Sequence, residues 1–325
     1  MRWGFLGIGR VTPRMVDAVR EAGHSVEMAA ARNEPALREW GNAHRVSRLS
    51  TDFKEVCDSK DVDAIYVALP PSLHLEYSAY AIACGKHVLC EKPIAVDTHE
   101  VEQVAAIQRS PGQMLSHATA FPHHPRSQEI RRRVLGGELG EIKRLTIACS
   151  FSHVLNRGRD YRTDASLGGG CLLDLGWYAV FATLWLTGQR PLRIQGVGRK
   201  LSPATDRGEG IWISNQGLAE LDGGALAHWD CGFDTPGRKW LEIAGTKGSI
   251  VCDDFLRPWK ADRPRFWTHG SDGKGEEVVC GVGCNQEAAM VQAACDRQRV
   301  DETASLFKLG VETQRILERW EECCL

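Results

Sequence analysis

Residues 3–10 read Trp3-Gly4-Phe5-Leu6-Gly7-Ile8-Gly9-Arg10, an apolar run that passes straight into a Gly-x-Gly turn. From about Thr12 the pattern turns helical. Met15, Val16 and Val19 fall on one face, while Arg14, Asp17 and Arg20 point outward. Strand, glycine turn and helix in that order make a phosphate cradle. The first glycine permits the tight turn and the second lets a pyrophosphate approach the backbone. The helix start then supplies N–H groups and the positive end of its dipole. The third fingerprint position is Thr12, so the motif is incomplete, and a ligand-free strand-to-helix turn is the competing reading.

Working outward, His24–Ala31 reads as a second strand and Pro35–Ala43 as a helix. The apolar run Ala64–Leu69 is a strand that stops at Pro70-Pro71, and Leu73–Cys84 is a helix closed by Gly85. His87–Cys90 is a short strand halted by Glu91-Lys92-Pro93, followed by a helix over Val101–Arg109 and a strand over Gln113–Ala118. Strands separated by helices at this rhythm predict a parallel sheet covered on both faces. Past Pro122 the texture changes. A helix over Pro125–Leu135 leads to a strand over Ile142–His153, and Gly168-Gly169-Gly170 opens an apolar helix reaching Leu186. Apolar and polar residues alternate from Arg193 to Gly281, as in a predominantly antiparallel sheet with one buried face. Helices over Gln286–Arg297 and Thr303–Trp320 finish the chain. The expected class is α/β, with a dinucleotide-binding domain over 1–120 and a substrate-binding and oligomerisation domain over 121–325.

The 325 residues carry a formal net charge of −2, which argues against electrostatic capture of nucleic acid or an acidic membrane. Arg131-Arg132-Arg133 is the one short basic run and reads as a solvated helix face. No run of 18 apolar residues and no leader pattern is present, so the reading is a soluble cytoplasmic chain. The twelve cysteines form no CxxC pair and the eleven histidines no HExxH, so reduced thiols and no metal are expected.

Three places carry chemistry. About twenty residues beyond Gly9, where a ribose would lie, stands Ala29-Ala30-Ala31-Arg32-Asn33. Arg32 without an adjacent carboxylate suits a 2′-phosphate, so NADP is preferred and NAD is the alternative. Lys92 ends a parallel strand, and Pro93 holds it extended. Asp174 is the one charged residue in the apolar segment Gly168–Thr187. A carboxylate there costs several kcal/mol unless it is paired or hydrogen-bonded. Tyr178, four positions on, should share its helix face and form a wall of the site; a core tyrosine resting on a carboxylate is the bland alternative.

GFLGIGR, then EKP, then GGGxLxDxGxY stand in an order that resembles the glucose-fructose oxidoreductase/inositol dehydrogenase (Gfo/Idh/MocA) family along the whole chain. Pro70-Pro71-Ser72-Leu73-His74, His123-His124-Pro125, residues 136–142 and residues 241–250 add to it. The resemblance implies an N-terminal Rossmann domain and a C-terminal domain whose open sheet makes homodimer or homotetramer contacts. Its lysine falls on Lys92 and its helix aspartate on Asp174. Tyrosine at 178, where most members have histidine, is similar to the branch of dimeric dihydrodiol dehydrogenase and NADP-linked xylose dehydrogenase.

The catalytic candidates are therefore Lys92, Asp174 and Tyr178. Candidate cofactor contacts are Gly7, Gly9, Arg10, Val11, Arg32, Leu69, Pro70, His74, Glu91 and Lys92, with His74 implied to approach the nicotinamide ribose. Lys92, Arg162, Asp174 and Tyr178 are candidates for holding the substrate, and Arg157 and Arg159 precede the same pocket edge. The expected reaction is NADP(H)-linked hydride exchange with a sugar hemiacetal or diol. Tyr178 would act as the acid/base, with Lys92 favouring its phenolate. Two other readings stand beside it: a sugar–sugar oxidoreductase that keeps its NADP bound, and an NADP-binding sensor without turnover.

Overall fold

The computed structural model describes residues 1–152, 154–155, 160–201 and 210–324. Contacts divide the chain into two compact units, Met1–Ala120 with Asn285–Val311 and Phe121–Cys284 with Glu312–Leu325. The split at residue 120 read from the sequence is linear, whereas the chain returns to its first unit near its end.

In the first unit the elements run β1 (Arg2–Leu6), α1 (Thr12–Glu21), β2 (Ser25–Ala30), α2 (Glu34–His44), β3 (Arg48–Ser50) and α3 (Phe53–Asp58). They continue β4 (Ala64–Val67), α4 (His74–Ala83), β5 (His87–Glu91), α5 (Thr98–Ala106) and β6 (Leu115–Ala118). The six strands are parallel in the order β3-β2-β1-β4-β5-β6. This is the doubly wound dinucleotide-binding order, with its ligand crevice at the carboxyl ends of β1 and β4. Both faces of β1 are buried, Trp3 and Phe5 against Met15 and Val16 on one side, Leu6 against Val56 and Val67 on the other. Period-2 alternation thus feeds two cores from one strand, which is why it reads as continuously apolar. Neither β3 nor α3 was expected; three and six residues are too short to show a period.

The second unit holds α6 (Pro125–Leu135), β7 (Ile142–Ser150), α7 (Trp177–Thr187), β8 (Pro191–Leu201), β9 (Ile211–Leu221) and β10 (Leu226–Gly232). Four further strands follow: β11 (Arg238–Gly245), β12 (Gly248–Cys252), β13 (Arg265–Gly270) and β14 (Gly275–Val279). The sheet order is β14-β13-β12-β11-β7-β10-β9-β8. Every pairing is antiparallel except β7 with β10. In β9, Ile211, Ile213, Ala219 and Leu221 are buried while Gln216 and Leu218 face out, the alternation expected of a sheet with one covered face. Helix α7 covers that face. Trp229 of β10 donates from Nε1 to Thr183 Oγ1 of α7 at 2.9 Å, and Trp177 stacks on Phe181 at 4.8 Å. Each such fully buried aromatic contributes roughly 2 kcal/mol or more by area removed from water. The segment Ala165–Thr187 is long and apolar enough to cross a bilayer, yet 78% of its most apolar window is buried inside the protein. It is a core helix.

Two helices close the chain, α8 (Gln286–Cys295) and α9 (Val300–Glu322). Met290 and Val291 of α8 enter the core formed by Trp3, Met15 and Val16. Asn285 caps α8, its Oδ1 accepting from the N–H groups of Glu287 and Ala288 at 3.2 Å, and its Nδ2 donates to Glu21 at 2.6 Å.

Candidate active site

In the first unit, Gly7 has φ +93°, and a Cβ there would stand 2.4 Å from the carbonyl oxygen of Ala68. Only glycine fits this close crossing of β1 and β4. Gly9 differs: a Cβ would meet nothing within 4 Å. Its smallness serves no protein contact and leaves open space where the fingerprint places a pyrophosphate. Helix α1 begins at Thr12 with no side-chain cap; the Thr12 N–H donates to Gly9 O at 3.0 Å and Pro13 has none, so what the start of the helix offers an anion is chiefly the positive end of its dipole. Thr12, the odd residue of the motif, is wholly buried. Its hydroxyl donates to Gly9 O at 2.8 Å and accepts from Trp40 Nε1 at 3.0 Å. The departure from glycine is thus compensated by a tie between the turn and α2.

A pocket of about 530 Å³ opens at these strand ends, lined by Gly7, Ile8, Ala31, Arg32, Asn33, Phe53, Ala68, Leu69 and Pro70. Arg32 is the one charged residue of that lining, and among the described residues it makes no ion pair. Glu34, the nearest acid in sequence, is held by Arg38 at 2.5 Å, and Asn33 Oδ1 accepts from Ala36 N at 3.0 Å as the cap of α2. Gly7, Arg32, Leu69 and Pro70 were expected here. Phe53 was missed because α3 was not foreseen.

Lys92, 8% exposed, follows the end of β5, and its bond to Pro93 is cis. Tyr66 donates its hydroxyl to Glu91 Oε1, and the Lys92 N–H donates to Glu91 Oε2 at 3.3 Å. Burial raises the Glu91 pKa against the opposing pull of Tyr66 and Lys92, and burial with the Glu91 charge drives the Tyr66 phenol well above its usual value. His74, 1% exposed, has Nδ1 at 2.7 Å from Pro93 O and Nε2 at 2.9 Å from Leu69 O. Burial lowers its pKa; the two carbonyls oppose this and the Lys92 charge adds to it. With an acceptor on each ring nitrogen, His74 has no polar edge left for a cofactor ribose. Gly9, Arg10, Val11, Glu91 and Lys92 likewise fall outside the lining of the pocket.

In the second unit, Gly170 passes into a π-helical turn over Leu172–Gly176, which carries Asp174 and runs directly into α7. The expectation that Asp174 and Tyr178 share a face rested on 3.6 residues per turn. A π turn is wider, so that spacing no longer sets the relation. Asp174 is 6% exposed, and Arg162 Nε donates to its Oδ2 at 2.7 Å. Arg162 Nη1 also meets Asp160 Oδ1 at 3.3 Å, and the guanidinium lies 4.5 Å from the Tyr161 ring centroid. Burial works against the Arg162 charge, but Asp174, Tyr161 and Asp160 outweigh it and raise its pKa. Arg162, expected to touch substrate, is held by Asp174 and Asp160. Gly169 lets the loop seat, since a Cβ would lie 2.6–2.8 Å from the carbonyls of Asp164, Arg162 and Tyr161. Tyr178 is half-buried, with Trp177 edge-on at 5.7 Å and Phe121 at 6.5 Å. Arg157 and Arg159 lie outside the described residues. Among the described residues no group of three His, Cys, Asp or Glu side chains converges on a metal position.

Residues 1–119 match the oxidoreductase family NAD-binding Rossmann fold, and residues 127–251 match the GFO/IDH/MocA C-terminal domain. The chain is 31% identical to dTDP-3,4-didehydro-2,6-dideoxy-alpha-D-glucose 3-reductase of Saccharopolyspora spinosa, over 80% of this chain and 78% of that protein. It is 26% identical to trans-1,2-dihydrobenzene-1,2-diol dehydrogenase of Bos taurus, over 90% and 87% respectively. The 3-ketoreductase KijD10 from Actinomadura kijaniata, solved with NADP and TDP-benzene, superposes with a TM-score of 0.85 at 23% identity, covering 100% of this chain and 98% of that one. The chain belongs to the Gfo/Idh/MocA oxidoreductase family. It is an NAD(P)-dependent oxidoreductase acting on CH–OH groups.

Proposed function

We propose that this oxidoreductase uses NADP(H) and exchanges hydride with a sugar hemiacetal or a diol carbon, with Tyr178 as the proton acceptor and donor. The observation that carries the reading is the pocket at Gly7, Leu69 and Pro70, whose one charged lining residue is an arginine with no carboxylate beside it. A guanidinium binds a 2′-phosphate by paired hydrogen bonds, whereas a carboxylate at this place would bind ribose hydroxyls and repel the phosphate. The open space at Gly9 and the uncapped start of α1 fit the pyrophosphate. The relatives that act on a deoxysugar and on a diol support the substrate class.

When bound, the nicotinamide supplies or takes the hydride. Tyr178 takes the substrate hydroxyl proton during oxidation and returns it during reduction. A free phenol, with a pKa near ~10, is a poor base at neutral pH, and the Lys92 ammonium is assigned the task of favouring the phenolate. Asp174, held by Arg162, orients the substrate hydroxyl.

Tyr178→Phe removes only the hydroxyl. Across a panel of aldoses, inositols, diols and 1,5-anhydrofructose with both cofactors, the wild-type chain should turn over at least one member with NADP(H). The variant should lose about 100-fold or more in kcat and keep its NADPH affinity. Equal turnover by the variant takes Tyr178 out of the mechanism.

The outer face of the second sheet exposes Val197, Leu218, Leu226 and Trp240, apolar residues on four successive or near strands that support pairing with a second copy of the chain. Light scattering that gives a monomer mass removes that reading.

A further inference from the structure

The Lys92 turn is held on both sides by groups that have no other visible task. Before it, the Glu91 carboxylate accepts the Tyr66 hydroxyl. After it, the Pro93 carbonyl meets His74 Nδ1 at 2.7 Å. The opposite nitrogen of the same ring meets the carbonyl of Leu69 at 2.9 Å, and Leu69 and Pro70 form a wall of the pocket that contains Arg32. One imidazole, 1% exposed and at the first position of α4, therefore spans the segment carrying the amine and the segment walling the pocket. Histidine suits this place because two polar atoms project from opposite sides of a rigid ring: the neutral ring donates to one of the two carbonyls and packs against the other, whereas a leucine or phenylalanine would leave both without a donor.

We infer that His74 is a positioning residue, which fixes Lys92 relative to the dinucleotide pocket by joining the Pro93 and Leu69 carbonyls. It touches neither cofactor nor substrate. The inference rests on the role proposed above for Lys92 and adds the device that aims it. A site group held within about half an ångström performs as designed, and the supporting contacts set that tolerance.

The test uses the full-length protein and needs no substrate. His74→Leu removes the ring's N–H donor and both polar contacts, and His74→Gln keeps an N–H donor without the rigid ring; if the leucine variant does not fold, the glutamine variant carries the experiment. Two quantities are read: NADPH affinity from nicotinamide fluorescence, and the rate of reductive methylation of individual lysines by mass spectrometry. Lys86 is the internal control, since it is also 8% exposed and its ammonium donates to the carbonyls of Ser59 and Val62 at 2.6 and 2.7 Å. The expected result is about tenfold faster labelling of Lys92 with Lys86 unchanged, and an NADPH Kd raised about fivefold. Equal acceleration at both lysines means that the ring is a general core contact and overturns the inference. So does unchanged labelling of Lys92 or an unchanged Kd. Lys92→Met in the substrate panel is separate: full turnover by that variant removes Lys92 from the reaction while leaving the clamp as measured.

Discussion

Arg162 donates from Nε to Asp174 Oδ2 at 2.7 Å, with the two side chains only 18% and 8% exposed. The single charge of the apolar segment entering α7 is therefore balanced within its own unit. Removing Arg162 takes a charged donor from a poorly solvated carboxylate, and that costs more than the pair itself contributes. Arg162→Met should destabilise the protein by about 3 kcal/mol, and Arg162→Met with Asp174→Asn should recover most of this. Urea unfolding of the single and double variants is the measurement. Additive losses would show that the pair is not coupled.

The proposed preference for NADP rests on Arg32. Arg32→Ala should raise the Kd for NADPH by about tenfold or more, equivalent to about 1.4 kcal/mol, and leave NADH binding nearly unchanged. Fluorescence titration with both cofactors reads the difference. Parallel losses for the two would place Arg32 away from the 2′-phosphate.

The two glycines of the opening turn should fail in different ways. Gly7→Ala forces a side chain to φ +93° and against the Ala68 carbonyl, so it should cost about 2 kcal/mol or more in stability. Gly9→Ala meets nothing within 4 Å. It should melt within a degree or two of wild type while NADPH binds about tenfold more weakly. Thermal unfolding and cofactor titration on both variants separate the effects. A destabilised Gly9→Ala with normal binding would contradict the assignment.

His117 is buried, with Nδ1 at 2.7 Å from Thr119 Oγ1 and Nε2 at 2.7 Å from Leu306 O. Burial lowers its pKa to about 4, against the raising effect of the Leu306 carbonyl. An unfolded histidine titrates near ~6.5. Below that pH the unfolded chain binds a proton that the folded protein refuses. The stability from this group is complete above about pH 6.5, falls as pH drops, and declines no further below about pH 4. The span corresponds to roughly 3 kcal/mol. His124, also lowered to about 4 by burial and then by the Arg126 charge, should add in the same direction. Urea unfolding across this window should show a shallower pH slope for His117→Gln than for wild type.

Much of this was legible from residues alone, and the failures have causes. The sequence Trp3–Gly9 announced β1 and its turn because a strand buried on both faces is continuously apolar. Arg32 was found by counting from Gly9, since the length of the βαβ unit fixes where β2 ends. Phe53 was lost with the short elements around it. His74 was placed near the ribose by motif, but its partners, Leu69 and Pro93, are joined by folding, and spacing along the chain does not reveal which carbonyls a ring will meet. The π turn at Leu172–Gly176 defeated the face argument for Asp174 and Tyr178, because one extra residue in a turn leaves no trace in hydropathy. The parallel β7–β10 pair was equally hidden: alternation shows that a strand is half-buried and says nothing of its neighbour's direction.

Met290 and Val291 belong to the same core as Trp3 and Met15, which orders events during synthesis. The ribosome makes the β–turn–α unit first and the helix that completes its packing some 270 residues later. The emerging segment must therefore wait, with part of its apolar surface uncovered, until α8 has been translated. A truncation ending at residue 120 would be left permanently in that state, so the dinucleotide-binding half should not be expected to survive as an excised piece.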